Sequence, residues 1–202
     1  MANGTAVDVK FGDGTPHADE IGEVARSLGI EVVAHGGGAA HTVVGDVSLP
    51  ADSPGWMIEA AMLRALGPKH VVFLCVANSA RSQMAEGVAR SLAPAGVTIS
   101  SAGSEPTRVR PQAIAALSEV GLDISGHASN GTDDIEGEVD AVITLCAEEV
   151  CPVWLGQAWR LHWALPDPAG AGRTPDEEMD AFRSARDELI RRLTVLFRGV
   201  SE

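Results

Sequence analysis

The stretch FLCVANSARSQ, residues 73–83, decides how this sequence is interpreted. An apolar run stops at Cys75, small residues follow, and five residues separate that cysteine from Arg81. A loop of small residues between a strand and a helix can turn its N–H groups toward one point, where the helix N-terminus also attracts an anion. The guanidinium of Arg81 adds a planar fork that fits a tetrahedral oxyanion. The stretch therefore predicts an anion-binding loop whose positive field favours the thiolate form of Cys75.

Two polar residues of this loop support the same interpretation. Ser82 is placed to donate a hydrogen bond to the thiolate, and Asn78 is placed to brace the loop. The alternative is a structural cysteine beside a surface arginine, but the strand before and the helix after favour the anion loop. The predicted oxyanion-binding residues are Val76, Ala77, Asn78, Ser79, Ala80, Arg81 and Ser82.

Strands and helices alternate along the rest of the chain after Pro68. Strands are predicted over 70–76, 96–103, 140–146 and 160–165, and helices over 84–92, over 111–121 and from Thr174-Pro175 onward. Such alternation predicts a doubly wound parallel sheet in an α/β domain. Ligands bind at the carboxyl ends of strands in these sheets. Cys75, Cys146 and Asp167 all lie at or just after a strand end.

Residues 1–67 have a different pattern and form a predicted small α/β appendage. Its predicted strands are VDVKF (7–11), IEVVA (30–34) and TVVGDV (42–47), with HGGGAAH (35–41) as a flexible loop and helices over 18–28 and 53–66. This segment is too short to be very stable alone. We expect it to pack on the domain formed by residues 68–202 and to contribute stability or partner choice rather than chemistry.

Composition and charge exclude several classes of function. The net charge of −13 argues against a nucleic-acid partner and against binding to an anionic membrane. No apolar run is long enough to span a bilayer, and the N-terminal residues lack a signal-peptide pattern, so a cytoplasmic protein is expected. Three cysteines fit poorly with a structural disulfide framework. They are predicted to be buried fillers, metal ligands or reactive thiols.

Five stretches in the same order resemble the low-molecular-weight phosphatase fold in its arsenate reductase branch. They are CVANSARSQMAEG, SAGSEPT, GLDISGH, VITLCAEEVCP and LHWALPDPAG. The resemblance covers residues 70–198 and does not extend to the appendage. It implies a sheet of the low-molecular-weight phosphatase type and an enzyme that reduces arsenate to arsenite.

The resemblance also implies a role for each cysteine. Cys75 would be the nucleophile, Arg81 with the loop backbone would hold the oxyanion, and Asp167 would be the general acid. Cys146 and Cys151 would form a relay whose disulfide an external thiol system resets. That system would be thioredoxin, or a low-molecular-weight thiol with glutaredoxin, and no bound cofactor is expected.

Two departures from the family pattern affect these expectations. Only four residues separate Cys146 from Cys151, and an extended segment of that length spans roughly 16 Å whereas a disulfide needs Cα atoms about 4.4–6.8 Å apart. The segment must therefore coil back or unfold in part, and the choice of reductant stays open. Some relatives bind a monovalent cation at a site that Asn78, Glu86 and Ser101 match. Because Asn130 replaces an aspartate there, a weaker cation site or none is expected.

Several alternatives stay open at this point. A phosphatase would need no relay thiols, and a thiol-based redox sensor would need no general acid, so Cys146, Cys151 and Asp167 favour the reductase. His35 and His41 could bind a metal, but two incidental histidines beside a flexible loop are the simpler interpretation. The tryptophans at positions 154, 159 and 163 could form a docking face, although packing in the core is preferred.

Overall fold

A computed structural model describes residues 6–12, 17–39, 42–147 and 152–200. The chain divides into two units, of which the first is Met1–Pro68 together with Thr194–Glu202 and the second is Lys69–Leu193. The boundary at Pro68 lies beside the one that the sequence suggests. The last residues of the chain, however, group with the first unit, and no sequence pattern indicated this.

The first unit is a four-stranded sheet with two helices. Its strands are β1 (Ala6–Gly12), β2 (Glu31–Ala39), β3 (Thr42–Val44) and β4 (Val47–Leu49), and its helices are α1 (Ala18–Leu28) and α2 (Gly55–Leu66). The strand order is β2-β1-β3-β4, with β1 parallel to β2 and the other pairs antiparallel. Helix α1 buries Ile21, Ala25 and Leu28 and ends at Gly29 in a left-handed conformation, as its pattern predicts.

Two predictions for this unit are wrong. TVVGDV is not one strand, because Gly45 has φ of 58° and turns the chain between β3 and β4. The expected loop over residues 35–41 is in part a strand, since β2 continues to Ala39. Pairing with β1, which places Lys10 opposite His35 and Gly12 opposite Ala39, outweighs the low strand propensity of the glycines.

The second unit is a four-stranded parallel sheet, which confirms the predicted fold class. Its elements in order are β5 (His70–Cys75), α3 (Arg81–Leu92), β6 (Thr98–Gly103), α4 (Pro111–Ser118), a short 3-10 helix (Thr132–Asp134), β7 (Ala141–Cys146), β8 (Trp159–Leu165) and α5 (Pro175–Arg198), which extends beyond the unit at Leu193. The strand order is β6-β5-β7-β8. All six residues of β5 are buried, as expected for a central strand covered on both faces.

Local signals for α5 act as the sequence predicts. The Thr174 hydroxyl accepts a hydrogen bond from the Glu177 N–H at 3.2 Å, and the Glu177 carboxylate accepts one from the Thr174 N–H at 3.1 Å. This reciprocal pair is a capping box that fixes the start of the helix. Among the residues that the structure describes, no helix has the length and apolarity needed to cross a membrane.

Candidate active site

The end of β5 places Cys75 at the carboxyl edge of the sheet. Its backbone pairs with Gly103 at the end of β6, and its thiol is buried, with 3% of the residue exposed. Residues 76–80 then connect β5 to α3, which begins at Arg81. The predicted order of buried strand, cysteine, small-residue loop and helix is therefore present.

The loop turns its carbonyl groups outward. The carbonyls of Val76, Ala77 and Ser79 accept hydrogen bonds from the N–H groups of Glu105, Thr107 and Arg110 at 2.9, 3.0 and 2.8 Å. In a trans peptide the N–H points away from the C=O. The N–H groups of the residues that follow these carbonyls therefore turn inward and provide donors for an anion.

A pocket of about 150 Å³ lies on the inner side of the loop. It is lined by Cys75, Val76, Ala77, Ser79, Ala80, Arg81 and Asp167. The structure thus brings together the predicted nucleophile, oxyanion-binding residues and general acid. Asn78 and Ser82 do not line the pocket. Their side chains instead hydrogen-bond to each other, and that of Ser82 also contacts the Cys75 sulfur.

Arg81 is fixed between two elements of the site. One guanidinium N–H donates to the Leu165 carbonyl at the end of β8 at 3.0 Å, and another nitrogen lies 3.4 Å from a carboxylate oxygen of Asp167. The other oxygen of Asp167 accepts a hydrogen bond from the Ala169 N–H at 3.1 Å. The Arg81 side chain is 4% exposed and that of Asp167 is 45% exposed. Water therefore reaches the Asp167 carboxylate, whereas the Arg81 side chain is buried.

A directed hydrogen-bond network supports the Cys75 sulfur. Asn78 has φ of 44°, a left-handed conformation that asparagine tolerates better than most residues. Its amide N–H₂ donates to the hydroxyls of Ser82 and Ser101, both at 2.8 Å. Because Ser82 accepts from Asn78, its own proton is available to the Cys75 sulfur, which lies 2.9 Å from the Ser82 oxygen. This contact places the Ser82 hydroxyl directly against the Cys75 sulfur.

The network continues to His127. The amide nitrogen of Gln83 donates to the Asn78 side-chain oxygen at 2.8 Å, and its amide oxygen lies 2.9 Å from Nδ1 of His127. Burial lowers the pKa of His127, although the carboxylate of Glu86 opposes the shift. A neutral ring that donates from Nδ1 leaves Nε2 as an acceptor for Arg90, 3.4 Å away. Through Gln83, the network therefore links His127 to the Asn78 side chain that holds Ser82.

The candidate cation site is occupied by internal contacts. The Asn78 side-chain oxygen accepts from both Gln83 and the Asn130 N–H, and Ser101 donates to Glu86 at 2.5 Å. Glu86 also forms an ion pair with Arg90. Asn78, Glu86 and Ser101 are therefore hydrogen-bonded to one another and to their neighbours. Within the described ranges no group of three or more His, Cys, Asp or Glu side chains could hold a metal ion. His35 contacts Asp8 at 2.9 Å, and His41 lies outside the described residues.

Cys146 lies at the end of the strand next to β5. Leu74 pairs with Thr144, so Leu145 lies opposite Cys75 and Cys146 is the next residue along β7. Cys146 is 1% exposed and pairs with Leu165, whose carbonyl accepts from Arg81. A second buried thiol therefore ends the neighbouring strand on the same edge of the sheet. Cys151 lies outside the described residues.

Sequence reasoning missed the contribution of Gly103. A Cβ at this position would lie 2.3 Å from the Val76 carbonyl oxygen and 2.8 Å from the Asn78 nitrogen, both backbone atoms. Gly103 therefore allows β6 and the anion loop to approach each other closely. A glycine at the end of a strand next to the loop is the signal that could have identified it.

Comparison with known proteins agrees with this geometry. The family model described as low molecular weight phosphotyrosine protein phosphatase matches residues 70–202. The chain belongs to that family. The match begins at the first residue of β5 and includes every described site residue.

Within this family the chain is similar to proteins named arsenate reductase. One from Bacillus subtilis is 42% identical over 128 residues, which cover 62% of this chain and 92% of the relative. A glutaredoxin arsenate reductase from Synechocystis is 38% identical over 136 residues, covering 66% of this chain and 99% of the relative. A solved arsenate reductase in a phosphate-binding state is 37% identical with a TM-score of 0.55, and the match covers 66% of this chain and 99% of that chain.

Proposed function

We propose that this chain reduces arsenate to arsenite, with Cys75 as nucleophile and an external thiol as the source of electrons. The observation that carries the proposal is the second buried thiol, Cys146, which ends the strand next to the one that ends at Cys75. A phosphatase needs only one of these thiols. The similarity to arsenate reductases supports the same choice within the family.

The first step forms a bond between sulfur and arsenic. The Cys75 thiolate attacks arsenic, and the inward N–H groups of the loop with Arg81 hold the remaining oxygens. Asp167 lines the pocket, and its Oδ2 atom lies 3.4 Å from the Arg81 guanidinium. Its carboxyl group protonates the departing oxygen of arsenate, which leaves as water. The product is an adduct of the Cys75 sulfur with arsenic still in its oxidised, pentavalent state.

The second step transfers two electrons to arsenic. The Cys146 thiolate attacks the Cys75 sulfur, the S–As bond breaks, and its electron pair stays on arsenic, which leaves as arsenite. Cys151 then attacks Cys146, which frees the Cys75 thiolate and leaves a Cys146–Cys151 disulfide. An external dithiol, or two monothiols, reduces that disulfide. Thioredoxin and glutaredoxin with a small thiol are both candidates, and the similarity to a glutaredoxin arsenate reductase supports testing the latter.

The proposed activity is tested with purified protein, arsenate and two reducing systems in parallel. One assay contains thioredoxin with its reductase, the other glutathione with glutaredoxin, and arsenite is quantified in both. We expect catalytic arsenite formation with at least one of them. Hydrolysis of an aryl phosphate without arsenite in either assay would instead identify a phosphatase, the alternative that the Cys75, Arg81 and Asp167 geometry also favours.

Replacing Asp167 by asparagine should lower the turnover of arsenate by about 10²–10⁴-fold, because the amide keeps the shape but cannot donate the proton. Inhibition by phosphate should change less than about threefold, since Arg81 and the loop N–H groups remain. Asp176→Asn is the matched control because Asp176 is an exposed carboxylate in the first turn of α5. Turnover of Asp167→Asn close to that of the control would remove Asp167 from the mechanism.

Gly103→Ala should weaken phosphate inhibition and lower kcat/KM for arsenate by about 10²-fold. The new methyl group would overlap backbone atoms of the anion loop, which must move away from the oxyanion. Gly126→Ala is the control, since nothing lies within 4 Å of a Cβ at that position. Normal kinetics in a folded Gly103→Ala protein would show that the loop position is not critical.

A further inference from the structure

Two arginines next to the anion loop have no part in the chemistry above. Arg108 and Arg110 are both exposed, and neither side chain forms an ion pair with any described residue. Several arginines elsewhere in the described chain pair with carboxylates, namely Arg64, Arg90, Arg183, Arg186, Arg191 and Arg192, whereas Arg26, Arg160 and Arg173 form no ion pair with a described residue. Arg108 and Arg110 differ from these three because they lie two residues apart and next to the anion loop, in a chain with 28 acidic and 15 basic residues.

The segment that carries them is fixed to the loop. The N–H groups of Glu105, Thr107 and Arg110 donate to the carbonyls of Val76, Ala77 and Ser79. Arg108 therefore lies between two residues that are hydrogen-bonded to the loop itself. The backbone that carries both arginines is therefore fixed to the anion loop, and both side chains are exposed beside it.

The same segment lines a second, larger pocket. This pocket has a volume of about 500 Å³ and is lined by Thr107, Arg108, Arg110, Pro111 and Gln112. Gln112 donates to Glu178 at 3.3 Å, and Glu178 also accepts from the Gly170 N–H at 2.8 Å. Gly170 follows Asp167 by three residues. The edge of the larger pocket is thus joined to the loop that carries the candidate general acid.

The lining of the larger pocket favours an anion because it carries two positively charged side chains. Its described lining offers two guanidinium groups, a hydroxyl and an amide, and the carboxylate of Glu178 accepts from the Gln112 amide at the pocket edge. A dianion that approaches a protein of net charge −13 meets a repulsive field, and a local basic patch beside the site offsets that repulsion. Arsenate and phosphate are both dianions of the required kind near neutral pH.

We propose that Arg108 and Arg110 form an outer anion site that attracts a tetrahedral dianion and delivers it to the Cys75 pocket. The identity of the dianion as arsenate rests on the proposed function, whereas the attraction itself applies equally to phosphate. The two arginines do not touch the reacting atoms, so they raise the local concentration and affinity of the anion and leave the chemical steps unchanged.

The test uses the full chain with Arg108→Gln and Arg110→Gln combined. The control combines Lys10→Gln with Arg26→Gln, which removes the same charge from exposed positions of the first unit. At an ionic strength of about 20 mM, kcat/KM for arsenate should fall by about tenfold in the test variant, while kcat stays within about twofold. The deficit should shrink below about twofold at 0.5 M salt, because mobile ions screen exposed charges. The control should lose less than about twofold at either salt concentration.

A second measurement does not depend on reduction. Phosphate protects Cys75 from alkylation by iodoacetamide if it binds in the catalytic pocket, and the phosphate concentration for half-protection should rise about tenfold in the test variant at low salt. This shift without any arsenite formation would support the outer anion site and reject arsenate reduction. Unchanged half-protection, a deficit that persists at high salt, or an equal deficit in the control would overturn the outer anion site.

Discussion

Replacing Cys75 by serine abolishes arsenite formation, with an expected loss of at least about 10⁴-fold in turnover. Two separate reasons lead to this result. The hydroxyl of serine is far harder to ionise than a thiol, so the nucleophile is lost even though Ser82 and the loop N–H groups remain. An oxygen at this position also cannot accept attack by Cys146 to form a disulfide, so no electron pair reaches arsenic.

The measurement combines arsenite release with hydrolysis of an aryl phosphate, because both begin with attack by Cys75. Both activities should disappear in Cys75→Ser, while phosphate binding, measured by calorimetry, should persist. Cys146→Ser is the control, since it removes a buried thiol of the same size and should keep the hydrolysis. Measurable arsenite from a homogeneous Cys75→Ser protein would reject Cys75 as the nucleophile.

Replacing the other two cysteines separates the steps of the relay. Cys151→Ser should release one equivalent of arsenite in a burst and then stop, with a disulfide trapped between Cys75 and Cys146. Cys146→Ser should release no burst in the absence of external thiol, since the thiol that attacks the Cys75 adduct in the proposed relay is missing. Steady-state turnover should fall by at least about 10²-fold in both variants.

Quenched-flow measurement of arsenite and mass analysis of the trapped disulfide distinguish the two variants. Both should still hydrolyse an aryl phosphate slowly, because that reaction uses only Cys75, Arg81 and Asp167. Normal steady-state reduction by both variants would show that a small external thiol resets Cys75 directly and that the relay is unnecessary.

Much of the catalytic unit could be predicted from the sequence because its signals are local. A fully apolar strand, a cysteine, small residues and an arginine occupy one continuous stretch, and the capping box at Thr174 lies within four residues. These features form between residues that are close in the sequence, so their residue types and spacing are enough to predict them.

The missed features depend on contacts between distant parts of the chain. The role of Gly103 arises because its backbone meets Val76 and Asn78, and the outward carbonyls of the loop depend on donors some thirty residues later. The continuation of β2 through several glycines depends on pairing with β1. A local sequence pattern does not predict these contacts, because the residues that form them come together only in the folded protein.

Segments from both ends of the sequence meet in the first unit. The Arg64 side chain pairs with Asp46 at the β3–β4 turn, at 2.6 and 2.8 Å, and its remaining nitrogen lies 3.5 Å from the Leu196 carbonyl near the end of α5. The side chains of Val195, Leu196 and Phe197 are buried. In terms of chain connectivity, the catalytic unit is an insertion within the other unit, so no single cut between Pro68 and Lys69 separates two complete modules. A cut at that point would put Met1–Pro68 on one fragment and Thr194–Glu202, which belongs to the same unit, on the other.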